Sequence, residues 1–330
     1  MTLGGLPERL LIDRRDGSLL QPGARGAARV RRIERGLGLA FLDLGEAGEA
    51  VLSLSPNAPP LVEGGLIEVE VAAPARRGKT AALRRLGPAT GEPGLRAPAL
   101  DVETRLQAFA PGEPVTRGPS AREAADAAEE AALAVEHVLP GGGRLWIEPT
   151  RGLVAVDVDL AAFASTDPGR ARARVNRAAL DHAARLLRLK GLGGLVVIDL
   201  AGGSGSKGGD GAALIEHARA AFAPDQPGVI VGGVSRFGVL ELAVPWRATP
   251  TAELLNDADG RPSASTVALR LARVIEREAG PGARVAARCA PEVATAFETV
   301  APALRDRIGP RFTVTADPTL ARERVDVRPC

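Results

Sequence analysis

Tyrosine is missing from the 330 residues, and the chain holds only two cysteines, one methionine, two tryptophans, seven phenylalanines and three histidines. The two thiols, Cys289 and Cys330, give neither a disulfide framework nor a four-ligand zinc site, which fits a reducing compartment. His137, His182 and His217 lie far apart, each expected in or at the end of a helix. They form no Ser/His/Asp or Cys/His pattern of nucleophilic catalysis. No apolar run approaches the roughly 20 residues of a membrane span. The opening MTLGGLPERLLIDRRDG carries charge where a signal peptide carries an apolar stretch. The expectation is a cytoplasmic protein with no membrane partner.

A large net charge is also lacking, since the sum is only +2. Positive charge nevertheless collects in three stripes: Arg25, Arg29, Arg31, Arg32 and Arg35; Arg76, Arg77, Lys79, Arg84 and Arg85; and Arg170, Arg172, Arg174, Arg177, Arg185, Arg188 and Lys190. Negative charge collects between Glu123 and Glu136. Each basic stripe reads either as part of a polyanion groove or as a solvated face, and the sequence leaves both open. The apolar fraction of 45% supplies a sizeable core, and the length suggests two or three compact units.

Residues 8–20 suggest two short strands, the first RLLID, around a turn at Asp16-Gly17. Five short runs follow between Gly26 and Arg85, broken by Gly, Pro or Asn, and predict a small closed barrel. The Pro- and Gly-rich stretch 87–118 reads as an irregular connection. Residues 119–138 predict a helix with a capping box of Ser120 and Glu123. From 143 to 245, a strand pair, a helix at 170–190, a strand, a Gly-rich loop, a helix at 211–222 and a further strand predict a mixed α/β sandwich. Residues 249–262 read as a linker. A helix at 265–279, the strand ARVAARC, a helix around 291–305 and a strand near RFTVTA make a compact α+β cap.

Two acidic residues stand inside apolar strands, Asp157 in LVAVDVDL and Asp199 in LVVIDL. A carboxylate there is costly unless it is paired or faces a site. Side by side, two such strands bring like charges together, and Mg2+ is the hard cation that suits oxygen donors. Asp159 shares the face of Asp157. The bland alternative is that each Asp caps a strand end. In the loop GGSGSKGGDG, Gly203 to Gly208 formally match a dinucleotide fingerprint, though the glycines come late after the strand. Phe41, in the barrel, reads either as a base-stacking ring near the charge of Lys79 or as a core residue.

Together these segments resemble the bacterial ribonuclease E/G family. LPGGGRLWIEPTRGLVAVDVD is similar to its catalytic opening, NRAALDHAARLLRLKGLGGLVVIDL to the helix and strand that follow, and VSRFGVLEL to its SRFGLLE block. ARVRRIERGLGLAFLDLGEAGEAVL is similar to its S1-type barrel, and ERLLID to the first strand of its RNase H-like subdomain. The resemblance implies an α+β multidomain chain. An S1-type OB-fold barrel (23–88) is inserted in a reduced RNase H-like subdomain (1–22 and 89–140). A DNase I-like catalytic domain (141–248), a linker (249–262) and a small C-terminal domain (263–330) follow. It further implies that Asp157 and Asp199 are Mg2+ ligands beside Asp159. Phe41, Lys79 and Arg236 would contact RNA. The implied reaction is hydrolysis of single-stranded RNA to 5′-phosphate and 3′-hydroxyl ends.

Four departures from the family pattern stand out. Asp159 replaces an Asn, exchanging a hydrogen-bond donor for an acceptor. The stretch 86–142 is short and lacks the Arg-Thr pair of a 5′-monophosphate sensor. ATPTAELLNDADG stands where the family has a zinc-binding Cys-Pro-x-Cys, so the zinc-linked assembly is not expected, and other oligomers stay open. Val51 and Gly228 replace a second barrel Phe and a basic contact. The rival readings are a non-catalytic RNA-binding relative and a nucleotide-cofactor enzyme using the Gly203 loop.

Overall fold

The computed structural model of the chain describes residues 1–14, 18–76, 78–160, 167–202, 210–280 and 282–330. The chain divides into two units, Met1–Thr251 and Ala252–Cys330. The Asp16-Gly17 turn, Arg77 and the glycines from Gly203 to Gly208 lie outside the described residues.

The first unit opens with a hairpin of β1 (Thr2–Leu3) and β2 (Leu6–Pro7). The strand expected at RLLID is not formed: residues 9–13 pair with no strand among the described residues. Side chains anchor this segment instead. Glu8 accepts from Arg188 Nε at 2.8 Å, Arg188 Nη1 donates to Asp225 at 2.5 Å, and Leu10 packs on the core. Removing one partner from so buried an ionic cluster costs about 3–5 kcal/mol.

Five strands then close the expected barrel: β3 (Arg25–Glu34), β4 (Leu39–Asp43), β5 (Glu49–Ser53), β6 (Leu66–Ala73) and β7 (Ala81–Pro88). Their order, β3-β4-β5-β7-β6 and back to β3, has one parallel contact, β5 with β7. This is the connectivity of an OB-like barrel. Alternation fills the interior with Ala28, Val30, Ala40, Leu42, Ala50, Leu52, Ile67, Val69, Val71 and Leu83. Small and branched side chains fit so narrow a bore.

The stretch 87–118 is more regular than its composition suggests. β8 (Gly94–Ala97) adds to the start of β3, where a Cβ on Gly26 would stand 2.3 Å from the Gly94 carbonyl. α1 (Val102–Phe109) follows, its first turn capped by Asp101, which accepts from Thr104 N at 2.8 Å. Gly and Pro content hid a strand and a capped helix.

The α/β part comprises α2 (Pro119–Leu133), β9 (Glu136–Val138), β10 (Arg144–Pro149), β11 (Val154–Asp159), α3 (Pro168–Lys190), β12 (Gly194–Asp199), α4 (Asp210–Ala221), β13 (Ile230–Val234) and β14 (Val239–Val244). The helix expected to reach residue 138 stops at Leu133, and His137 lies on β9. Lys190 Nζ donates to the Ala132 carbonyl at 3.0 Å and also to that of Ala134, satisfying the end of α2. The capping box does not form. Pro119 takes the first helical position after Gly118, which places Ser120 inside the helix.

The six strands lie in the order β13-β14-β12-β11-β10-β9, with β11 and β12 parallel and the other pairs antiparallel. A parallel pair needs a long crossover, and α3 supplies it. Leu145, Ile147, Val154, Val156, Val158, Val196, Ile198, Leu240 and Leu242 are buried on one face, in a core shared with α3 and α4. The alternate positions, among them Asp157, Asp159, Leu195, Asp199 and Glu241, are exposed on the other face.

In the second unit α6 (Ala264–Glu278) packs on a sheet ordered β16-β15-β17, with β15 (Val285–Cys289), β16 (Phe312–Ala316) and β17 (Val325–Pro329). Where one helix was expected around 291–305, there are two, α7 (Pro291–Phe297) and α8 (Ala301–Ile308). The expected linker holds the short helix α5 (Thr251–Leu255) and an Asn256–Pro262 bridge. The strand β17 carried no signal that the sequence reading used. Among the described residues no helix is long and apolar enough to cross a membrane.

Candidate active site

β11 and β12 run side by side in register, so that Asp157 is the direct partner of Asp199. Neighbouring strands stand on the order of 4.8 Å apart, and both side chains belong to the exposed face. Partial burial and the charges of Asp199 and Asp159 push the Asp157 carboxyl up from its usual range. Asp159 lies two residues further along the same face and pairs in register with Arg144. Among the described residues, no group of three His, Cys, Asp or Glu gathers at one metal-holding point. Asp159 therefore adds charge to the neighbourhood without completing a three-ligand cluster.

Asp157 and Asp199 sit at the carboxyl ends of β11 and β12, the parallel pair among the described strands of this sheet. The turn before β14 meets the same end. Val239 is the register partner of Asp199, and Leu200 N donates to the Gly238 carbonyl at 3.3 Å. Ser235 shapes this turn: its Oγ accepts from Phe237 N at 3.2 Å and from Val239 N at 3.3 Å. Arg236 is thereby brought to the acid pair's end of the sheet, with its guanidinium 4.7 Å from the Phe237 ring centroid. That ring is exposed.

Behind β12, Asn176 of α3 clamps the chain just beyond Asp199. Its Nδ2 donates to the Ala201 carbonyl at 3.2 Å, and Ala201 N donates to its Oδ1 at 2.9 Å. A cleft of about 70 Å3 opens here, lined by Arg172, Asn176, Arg177, Leu200, Gly202 and Gly238. Neither acid lines it. The acid pair therefore lies on the open sheet face, outside this cleft. Arg172 crosses so close to Gly202 that a Cβ there would stand 2.3 Å from Arg172 Cδ.

The basic stripes separate into two kinds. In α3, Arg170, Arg172, Arg174 and Arg177 occupy the first turns, and Arg174 reaches the Gly141 carbonyl at 3.3 Å. Arg185, Arg188 and Lys190 are spent on internal contacts with Pro7, Glu8, Asp225 and the end of α2. On the barrel Arg25 and Arg84 share Glu70, and Arg31 pairs with Asp43.

Phe41 points out of the barrel, between the buried Ala40 and Leu42. The guanidinium of Arg32 lies 4.8 Å from its ring centroid, and Val51 is its partner on β5. Lys79 closes a small bridge with Arg76, whose guanidinium lies 4.5 Å from the centroid of Trp246. Trp246 in turn lies against Gly194, at the opposite end of β12 from Asp199. The fold thus gathers Asp157, Asp199, Asp159 and Arg236 at one sheet end. Lys79 is linked, through Arg76 and Trp246, to the opposite end of β12.

Two carboxylates without an ion-pair partner among the described residues, one with a raised pKa, fit a hard divalent cation. Mg2+ commonly takes one or two protein carboxylates and fills its remaining positions with water or phosphate oxygens. The sequence reading missed Asn176, Phe237 and Trp146. Trp146 is the register partner of Asp157 on β10. Its position two residues before Glu148, in strict alternation with Leu145 and Ile147, was a usable signal.

Residues 119–244 match the model of the Ribonuclease E/G family. The chain is 34% identical over 106 residues to Ribonuclease E of Buchnera aphidicola, a stretch covering 32% of this chain and 12% of that protein. It is 35% identical over 115 residues to Ribonuclease E of Haemophilus influenzae (34% of this chain, 12% of that protein) and of Escherichia coli (34% and 11%). The aligned part thus spans about an eighth of the length of these relatives or less. The family-matched stretch 119–244 contains the register-matched Asp157 and Asp199, the clamp at Asn176 and the Arg236 turn, and over these residues the chain is similar to the ribonuclease E/G family.

Proposed function

We propose that the chain is a magnesium-dependent endoribonuclease, hydrolysing single-stranded RNA to 5′-phosphate and 3′-hydroxyl ends. The observation that carries this reading is the Asp157–Asp199 register pair on an open sheet face. The two carboxylates would hold the ion, and bound Mg2+ activates water and offsets charge developing on a phosphodiester. Arg236 contributes positive charge at the same end to orient the scissile phosphate. Arg170, Arg172 and Arg177, crowded into the first turns of α3 against the helix dipole, suit a phosphate backbone running past that rim.

In this reading the barrel is an S1-type RNA-binding module that presents Phe41 for base stacking and Lys79 for a phosphate. The sheet from β9 to β14 is the DNase I-like catalytic part. Residues 1–22 and 89–140 are a reduced RNase H-like subdomain, whose strands β8 and β9 join the neighbouring sheets instead of building their own. A 5′-monophosphate on the RNA brings no large rate gain, and no zinc link joins copies of the chain. Asp159, an acceptor where the family resemblance calls for a donor, favours one alternative: an RNA-binding relative that does not cleave.

The test is incubation with a labelled, unstructured RNA, with and without Mg2+, beside Asp157→Asn and Asp199→Asn. Magnesium-dependent cleavage that both substitutions abolish supports the nuclease. RNA binding without cleavage, unchanged in both variants, establishes the alternative.

A further inference from the structure

We propose that Trp146 is a stacking platform for the nucleobase next to the scissile phosphate, so that the acid pair receives only an unstacked nucleotide. This inference rests on the acid pair being the cleavage site. Trp146 is the direct cross-strand partner of Asp157, and such partners hold their Cβ atoms about 4.5–5.5 Å apart on one face. The row continues with Glu136 on the far side of Trp146 and with Asp199 beyond Asp157. A large aromatic therefore lies among carboxylates on the open face of the sheet.

Its position is not that of a core residue. Its neighbours Leu145 and Ile147 are 0% and 1% exposed, while Trp146 alternates to the other face, is partly exposed, and does not join the side chains packed on the hydrophobic core. Trp246 is equally half-buried, but Arg76 stacks on it and it lies against Gly194. Among the described residues no arginine stacks on Trp146, whereas Phe41, Phe109, Phe237, Phe312 and Trp246 each carry one. An electron-rich, half-buried ring beside two acids repels further anions and receives a flat, uncharged group on the part that it exposes. A phosphodiester held at the acid pair brings such a group, its own base, within reach of the ring.

A base in a duplex is already stacked on its neighbours, whereas a single-stranded base is free to transfer to the indole. Purines offer the larger stacking surface, so adenine is favoured over uracil at this position.

The test uses the Trp246→Phe protein, in which Trp146 is the only indole, with Mg2+ present so that the acid pair is loaded, and with phosphorothioate linkages in the oligonucleotide to resist hydrolysis. Binding of a short fluorescein-labelled oligoadenylate is followed by anisotropy, and the indole emission is read in parallel. The expected result is quenching that saturates together with the anisotropy. Trp146→Ala weakens binding on the order of tenfold, and Trp146→Phe restores most of it. With unmodified linkages, Trp146→Ala raises KM more than it lowers kcat. An oligonucleotide abasic at the cleavage position binds the parent and Trp146→Ala equally.

Saturating anisotropy with unchanged indole emission, or equal binding by Trp146→Ala, overturns the platform and leaves the nuclease reading standing. Absence of any anisotropy change overturns both.

Discussion

Asn176 holds the backbone of Ala201 with both ends of its amide, donating from Nδ2 to the carbonyl at 3.2 Å and accepting the N–H on Oδ1 at 2.9 Å. A buried side chain on α3 thus fixes the segment that leaves β12 two residues after Asp199. Leaving two buried backbone groups unpaired costs about 1–3 kcal/mol each. Asn176→Ala is therefore expected to lose a few kcal/mol in urea denaturation. Even where it remains folded, it should show a larger fall in cleavage than in RNA affinity. Equal falls in both would show that Asn176 supports the fold without positioning Asp199.

Asp159 raises the Asp157 carboxyl, after burial and Asp199, by adding a like charge on the same face. Asp159→Asn removes that charge and supplies a donor. The expected outcome is weaker Mg2+ binding, with faster turnover once the ion is saturating. Magnesium titration of the cleavage rate separates the two effects. A slower rate at every Mg2+ concentration would instead make the carboxylate itself necessary.

Phe41 faces away from the barrel interior, with Arg32 stacked on it and Ala40 and Leu42 inside. Phe41→Ala is expected to weaken binding of single-stranded RNA on the order of tenfold. Its thermal stability should change little, because the ring is no part of the barrel's core. Lys79→Ala is expected to weaken binding to all sequences alike and to reduce the salt slope by about one. A destabilised Phe41→Ala protein with unchanged RNA affinity would assign the ring to packing.

His137 is half-buried on β9, and its Nε2 has no hydrogen-bond partner among the described residues. Burial first, then the charge of Lys190, pushes its pKa down from 6.5 to about 4. The folded state binds this proton less readily than the unfolded state does. The stability concerned is fully present above the unfolded value of 6.5 and is lost as pH falls from there through about 4. Thermal melts across that window should show a shallower decline for His137→Leu than for the parent. Parallel curves would mean that His137 gains its proton equally in both states.

Much of this architecture was legible in local pattern. Asp157 and Asp199 interrupt apolar strands at positions whose parity sets them opposite Val156, Val158 and Ile198, so their place on the polar face follows from alternation alone. The five barrel strands and the extents of α3 and α4 follow from the same kind of short-range signal. Where local cues misled, a neighbour in space had intervened: β8 is a strand because β3 offers it an edge, and α2 stops where Lys190 reaches its last carbonyls.

Local pattern carries no information about which strands become neighbours. Only the tertiary structure made β11 and β12 parallel partners in a register that sets Asp157 against Asp199, residues 42 apart in the chain by subtraction of their numbers. It also sorted the arginines. Arg185 and Arg188 have the same side chain as Arg170 and Arg177, yet they are bound to Pro7, Glu8 and Asp225, while Arg170 and Arg177 stay exposed in the first turns of α3. Charge and periodicity are properties of a residue and its near neighbours. Whether a charge is neutralised, and whether a ring such as Trp146 meets a carboxylate or a core, depends on the groups that folding brings beside it.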